Sequence, residues 1–498
     1  MEIQFNCTTI RGLQTVHSGT QSQELTQEVR LPDGFPDIGR VLGCWGQPIL
    51  RGKEWRSGSV GASGGVMTWV LYAPEDGTKP RCVESWLPFD MKWDIPETRY
   101  DGTILLNPFL RWADARTLSP RKLLARVDIA MYMNALTPQD MQLYTPMEIP
   151  QDVQLLKKNH SILIPCEAGE KAFSLDEPLE NFASSGKPEK IVRFCMKPEL
   201  TDQKVLGDKG VFRGAVLVHI LYRDAEGKLA VMDKEIPFSQ YAQLDADYGD
   251  GAVLRVWPVV TEAEMELTDA GELKIKGSLS GQYMVYDAKN IEVVEDAYSP
   301  NRLLKLSTQQ LDMPIVKQLL QQTVRMEMPV QFAEGQVADL ALYLGQPELI
   351  LTDEGYEAAN AGKYQILYYD GASEPACMSN NWKDNWRLEM PNGTFGNLQM
   401  DISGTPQFRQ GGEGQIVADM LISASVADMK NFQMVTGMEL GEQCQPDPQR
   451  PSVILRRYAQ NGLWELAKET GTTVDKIMSA NALTQEPEPG KMLLIPVL

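Results

Sequence analysis

No stretch of the 498 residues reaches 18 consecutive apolar positions, which removes a membrane-spanning helix from the readings of this chain. Histidine occurs only as His17, His160 and His219, each isolated in sequence and read as structural rather than as a metal ligand. The seven cysteines form no CxxC pair, and the closest two, Cys166 and Cys195, stand 29 positions apart. That scatter disfavours a zinc knuckle and a disulfide framework and fits a reducing cytosol. Positive charge is also scarce. Against 67 Asp and Glu there are 47 Lys and Arg, and a net charge of −20 argues against nucleic-acid binding, which needs basic surface to neutralise phosphates. The first residues, Met1 to Asn6, lack a basic stretch followed by an apolar one, so no secretory signal is read and the expected location is the cytoplasm.

Catalytic motifs are missing as well. GxxxxGK[ST], HExxH and a GxGxxG following a strand do not occur. Gly61-Ala62-Ser63-Gly64-Gly65 satisfies G-x-S-x-G, but a nucleophile elbow needs a strand before it and a helix after it. The Gly/Ser-rich stretch from Ser57 to Gly65 is read instead as a flexible loop. Glu262, Glu264 and Glu266 alternate with Ala263, Met265 and Leu267, the pattern of the wet face of a strand rather than of an acid/base pair. The expectation is a chain that is not an enzyme and carries no cofactor or metal.

What is present is a long-period repeat. The 43 % apolar content is enough for several cores, and the length suggests three to four domains. Leu71-Tyr72, Leu221-Tyr222 and Leu367-Tyr368 recur at spacings of 150 and 146, each followed by a turn signal, Asp76-Gly77, Glu226-Gly227 and Asp370-Gly371. Pro48-Ile49-Leu50, Pro198-Glu199-Leu200 and Pro347-Glu348-Leu349 keep the register, as do Pro108, Pro258 and Pro406. Val216, Val218, Ile220 and Tyr222 alternate with Ala215, Leu217, His219 and Leu221, so this strand needs cover on both faces, as in a sandwich interior. Asp269-Ala270-Gly271 reads as a hairpin turn. Six of the ten tryptophans, Trp45, Trp55, Trp69, Trp86, Trp93 and Trp112, crowd the first copy and are expected to serve packing more than partner recognition. The fold expected is mainly β: three tandem β-sandwich-like repeats at 1–150, 151–300 and 301–442, then a Pro-containing linker at 443–452.

The last 46 residues, 453–498, follow another pattern. Val453-Ile454-Leu455 reads as a short strand, and Leu463, Leu466 and Ala467 share a helical face that Gly471 ends. Thr473 caps a second helix carrying Val474, Ile477 and Met478, and Pro489-Gly490 turns into a closing strand, Met492 to Ile495. The order is βααβ. Five basic and five acidic residues balance here, so the net negative charge lies upstream.

The positions Tyr458, Leu463-Trp464-Glu465-Leu466-Ala467, Gly471-Thr472-Thr473-Val474, Ile477, Asn481-Ala482-Leu483 and Pro489 to Pro496 resemble a LysM module. Where glycan-binding LysM modules carry Gly-Asp-Thr, this chain has Gln460, Asn461 and Gly462, which lack the Thr hydroxyl. Trp464 is expected in the core rather than as a sugar platform. Upstream, Glu28 to Ile38 and Lys122 to Ile129 resemble segments of the SPOCS domain of spore-forming Firmicutes. SPOCS units followed by one LysM resemble clostridial spore-coat morphogenetic proteins. That resemblance implies a spore-envelope scaffold of the mother-cell cytoplasm whose LysM module docks onto a coat morphogenetic protein of the stage IV sporulation protein A type. The rival expectation is a peptidoglycan-binding protein. For either ligand the candidate residues are Gln460, Asn461, Gly462, Leu483, Thr484 and Gln485.

Overall fold

The computed structural model describes residues 2–98, 102–179, 187–268, 272–332, 335–391, 394–410, 414–444, 451–459 and 461–497. The chain is mainly β, as the alternation predicts, with two short helices among the described residues near its end. After β1 (Glu2–Ile3), the first segment contains β2 (Phe5–Arg30), β3 (Ile38–Arg56), β4 (Ser59–Pro74), β5 (Arg81–Asp94), β6 (Thr103–Ser119) and β7 (Lys122–Pro146). Its long first and last strands pair antiparallel from Phe5↔Pro146 to Arg30↔Lys122, and β6 takes the other edge of β7. Between them β3, β4 and β5 form a meander.

The same pairing plan recurs twice. In the second segment β8 (Gln154–Leu179), β9 (Pro188–Asp224), β10 (Leu229–Tyr248), β11 (Val253–Leu267) and β12 (Leu273–Tyr298) follow in order, with β8 and β11 flanking β12 and β10 pairing the second half of β9. The chain doubles back within β9 at Gly207, whose φ of 62° suits a residue without a side chain, and Thr201 Oγ1 then donates to the Arg213 carbonyl. The third segment contains β13 (Arg302–Val330), β14 (Gln336–Tyr343), β15 (Glu348–Thr352), β16 (Gly355–Tyr369), β17 (Pro375–Leu388), β18 (Thr394–Arg409) and β19 (Gly414–Gln443). Here β13 and β18 flank β19, and β14, β15 and β17 pair β16. The expected turn Asp269-Ala270-Gly271 lies outside the described residues, while Leu267 and Leu273 pair on either side of it.

The three segments close on one another. Their long strands meet as β2 with β8, β8 with β13, and β7, β12 and β19 mutually. The strand before the last in each segment also packs on the second strand of another, β11 on β3, β18 on β9 and β6 on β14, which completes a cycle. The cycle is sealed at the N-terminus, where β1 pairs Glu2↔Glu439 and Ile3↔Met438 along a part of β19 that β18 does not reach. Equivalent residues therefore converge. Leu71, Leu221 and Leu367, the repeat landmarks, are 0 %, 0 % and 1 % exposed and belong to one apolar cluster with Leu42 and Val192. A second shared core takes Met141, Ile164, Ile291, Ile315 and Phe432 from all three segments.

Polar contacts fix the joints. Gln282, fully buried, accepts from the Leu106 N–H (2.9 Å) and donates to the Leu106 carbonyl (2.6 Å), while Lys53 reaches both Gln282 and Glu170. Between the second and third segments Arg193 and His219 converge on Asp339, with Asp233 on the other His219 nitrogen. His219, isolated in sequence, thus meets two aspartates in space.

Ser57 to Gly65 is not a loop. Only Ser57-Gly58 turns, and Ser59 to Gly65 run in β4, with Ser63 opposite Gly52 and Asp90. The glycines are there for close packing: a Cβ on Gly65 would overlap the Trp86 ring, and one on Gly64 would meet the Ile49 carbonyl and Phe89. No helix follows Ser63, so the elbow geometry is absent. Glu262, Glu264 and Glu266 lie exposed along β11, with Ala263 buried between them. Of the tryptophans, Trp45, Trp69 and Trp93 are buried and Trp55, Trp86 and Trp112 partly so. All seven cysteines are free thiols. Among the described residues, no helix is long and apolar enough to cross a membrane.

Candidate binding surfaces of the C-terminal module

Gln443 still pairs with Arg302 at the end of β19, and Cys444 donates to the Asn301 carbonyl (2.7 Å). Residues 445–450 of the expected linker lie outside the described residues. Beyond them come β20 (Val453–Arg457), α1 (Leu463–Thr470), α2 (Val474–Ala480) and β21 (Met492–Pro496), with β20 antiparallel to β21. Gly471 ends α1 in the left-handed region at φ 58°, and the Thr473 hydroxyl accepts from the Lys476 N–H at the start of α2. Asn481 ties the end of α2 to β21, donating to the Ile477 and Leu494 carbonyls and accepting from the Leu494 N–H.

The candidate loops meet through a residue that the sequence did not single out. Gln460 lies outside the described residues, Asn461, Thr484 and Gln485 are exposed, and Leu483 is partly buried against the module core. Gly462 opens α1 without a side-chain cap. Glu486 supplies one from 23 residues further on, its Oε1 accepting from the Leu463 N–H at 3.1 Å. It also bonds the Tyr458 phenol, and burial, then the Glu486 charge and that bond, push the phenol above its ordinary pKa. The carboxylate therefore stands between the two loops, beside Gly462. No local spacing marks it, because a helix cap is normally sought next to its helix.

A second face is committed to the rest of the chain. Trp464 donates through Nε1 to Asp296 on β12 at 2.8 Å, Lys468 reaches the same oxygen at 2.6 Å, and the Trp464 ring meets Tyr298 edge-on at 4.8 Å. Tyr298 donates to the Thr472 carbonyl and joins the module core. Trp464 is thus partly buried as a joint between α1 and β12, which local periodicity cannot distinguish from a place inside the module.

The third face is open. Ile454, Leu493 and Ile495 turn inward from the two-stranded ribbon, which leaves Val453, Leu455, Met492 and Leu494 outward. Leu455 is 68 % exposed and Met492 52 %, high for apolar side chains grouped on one surface. Arg457 lies on this face and Lys491 at its end, both exposed and without an ion-pair partner among the described residues.

Residues 187–268 match the family model described as SipL, SPOCS domain. This SPOCS match makes the chain similar to a sporulation-related family. It covers β9, β10 and β11, the inner part of the second segment, and stops short of β8 and β12. The SPOCS-like stretches at 28–38 and 122–129 lie in the first segment, outside the match. No curated protein and no solved structure matches the chain.

Proposed function

We propose that this chain is a non-enzymatic scaffold of the spore envelope, built from three SPOCS-like bodies and a C-terminal LysM-like module that docks onto a coat morphogenetic protein of the stage IV sporulation protein A type. The observation that carries the docking is the outward apolar face of Leu455, Met492, Val453 and Leu494, edged by Arg457 and Lys491. Its chemistry suits a partner segment with apolar anchors and an acidic rim, because desolvating the centre supplies affinity while the rim charges set orientation.

Two features favour a protein over a glycan. Glu486 occupies the space between the loops that would hold a sugar and already satisfies the Leu463 N–H. The contact of Trp464 and Lys468 with Asp296 fixes the module against the body instead of leaving it on a free tether. The SPOCS-like bodies would then act as a closed frame that presents further surfaces, each weak contact raising the effective concentration of the next.

The test is parallel retention of the full chain on the immobilised coat protein and on purified sacculi. Saturable retention on the coat protein, lost in Leu455→Asp and kept in Asn461→Ala, supports docking through the ribbon. Retention on sacculi that is lost in Asn461→Ala would instead identify a peptidoglycan-binding protein.

A further inference from the structure

Strands from all three segments line a partly open cavity of about 150 Å³, with Asn107 of β6, Arg255 and Trp257 of β11, Gln321 of β13, Gln399 of β18 and Ser423 of β19 among its walls. Asn107, Trp257 and Gln399 also line a smaller recess of about 10 Å³, roughly the size of one hydroxyl or water, closed by Asn134.

Arg255 is the unusual member. It donates from Nη1 to the Gln321 side chain (2.7 Å) and from Nη2 to the Leu319 carbonyl (3.0 Å), both neutral acceptors. No carboxylate pairs with it among the described residues, and burial lowers its pKa. The acids across the cavity are engaged elsewhere. Glu199 takes Lys197 and the Gly404 N–H at 2.7 Å each, and Asp401 takes the Ile402 N–H and lies 4.0 Å from Lys197. A half-buried guanidinium with two of its five N–H donors used is a receptor for an anion. At the recess Asn134, 2 % exposed, has its Oδ1 without a donor among the described residues. A buried acceptor left unmatched costs roughly 1–3 kcal/mol until a hydroxyl or N–H reaches it.

We infer that this cavity is a binding site for a small hydroxylated carboxylate, a sugar acid of monosaccharide size. Its carboxylate pairs with Arg255, its C–H face lies along Trp257, its ring hydroxyls bond Gln399, Asn107 and Ser423, and one hydroxyl enters the recess to donate to Asn134. A neutral sugar lacks the partner for Arg255, and a simple anion lacks the donor for Asn134. The site is separate from the C-terminal module and does not rest on its proposed docking.

Calorimetry on the full chain tests this, with glucuronate as probe and glucose and acetate as controls. Glucuronate is expected to bind saturably and at least about tenfold more tightly than either control. Arg255→Gln should abolish the preference over glucose, and Arg255→Lys should retain part of it. Asn134→Leu should abolish the preference over acetate, with the melting temperature of each unliganded variant reporting its fold. Absence of glucuronate binding to the native chain, or binding unchanged in a folded Arg255→Gln, overturns the assignment.

Discussion

Arg193 on β9 and Asp339 on β14, 146 positions apart, share one carboxylate oxygen through two N–H donors, Nε at 3.0 Å and Nη2 at 2.6 Å. The pair is almost wholly enclosed, and Trp45 of the first segment lies over the guanidinium at 5.1 Å. One ion pair therefore touches all three segments.

Breaking it should be costly. In Asp339→Ala the buried Arg193 charge loses its partner, and an uncompensated buried charge destabilises by roughly 3–5 kcal/mol. Chemical denaturation should register that loss, and a change well under 1 kcal/mol would contradict a role for the pair at the joint. Replacing both residues by apolar ones should cost much less than Asp339→Ala alone.

The same cluster should respond to pH. Burial alone would lower the His219 pKa, but the attraction of Asp339 and the bonds to Asp233 and Asp339 outweigh it and raise it, against opposition from Arg193. Its stabilisation is then complete below the unfolded value of about 6.5 and disappears as pH rises through the higher folded value. For Asp339, burial acts upward, yet Arg193 and His219 hold it well below the usual carboxylate range. That contribution is present above about 3.9 and is lost only as acid reaches the lowered value. The stability difference between the native chain and His219→Gln should be largest in mild acid and shrink toward alkaline pH. A difference that grows with pH would be inconsistent with the raised pKa.

Of two like turns that follow the repeat landmarks, one carries a local strain that can be relieved. In the second segment Asp224 Oδ1 accepts from the Glu226 and Lys228 N–H groups, with Gly227 at φ 93°. In the third segment Asp370 Oδ1 accepts from Ala372 and Glu374 in the same spacing, but Ser373 takes the left-handed position at φ 62°. Ser373→Gly should stabilise by about 0.5–1 kcal/mol, the relief of Cβ strain less the added freedom of glycine when unfolded. A lower melting temperature in this variant would refute the reading.

The Leu71, Leu221 and Leu367 cluster predicts non-additivity. Each Leu→Ala should cost about 2–5 kcal/mol through lost burial and the cavity left behind. Because the three share one cluster, the Leu71→Ala/Leu221→Ala pair should depart from the sum of its singles by more than about 0.5 kcal/mol. Additive losses would place the residues in independent cores.

These leucines also mark how far the sequence could be read. Their register exposed the recurrence, since equivalent positions kept the same apolar character in copies about 150 residues apart. Alternation likewise gave the mainly β class, and β11 carries its glutamates outward as their spacing implies. Glycine content misled at Ser59 to Gly65, because a strand packed closely under Trp86 and Phe89 selects the same residues as a loop. Arg193, His219 and Asp339 were illegible for a different reason: each looks like an isolated polar residue until the segments close. At the C-terminal module the helix signals were local and readable, whereas Glu486 and Asp296 act across 23 and 168 positions.

The most direct measurement is the affinity of the full chain for the coat morphogenetic protein, compared with that of Leu455→Asp. Burying a charge at the centre of the ribbon should weaken binding by about thirtyfold or more, equivalent to roughly 2 kcal/mol, while Asn461→Ala changes it little. Equal affinities for the native chain and Leu455→Asp, with loss confined to Asn461→Ala, would contradict docking through the ribbon.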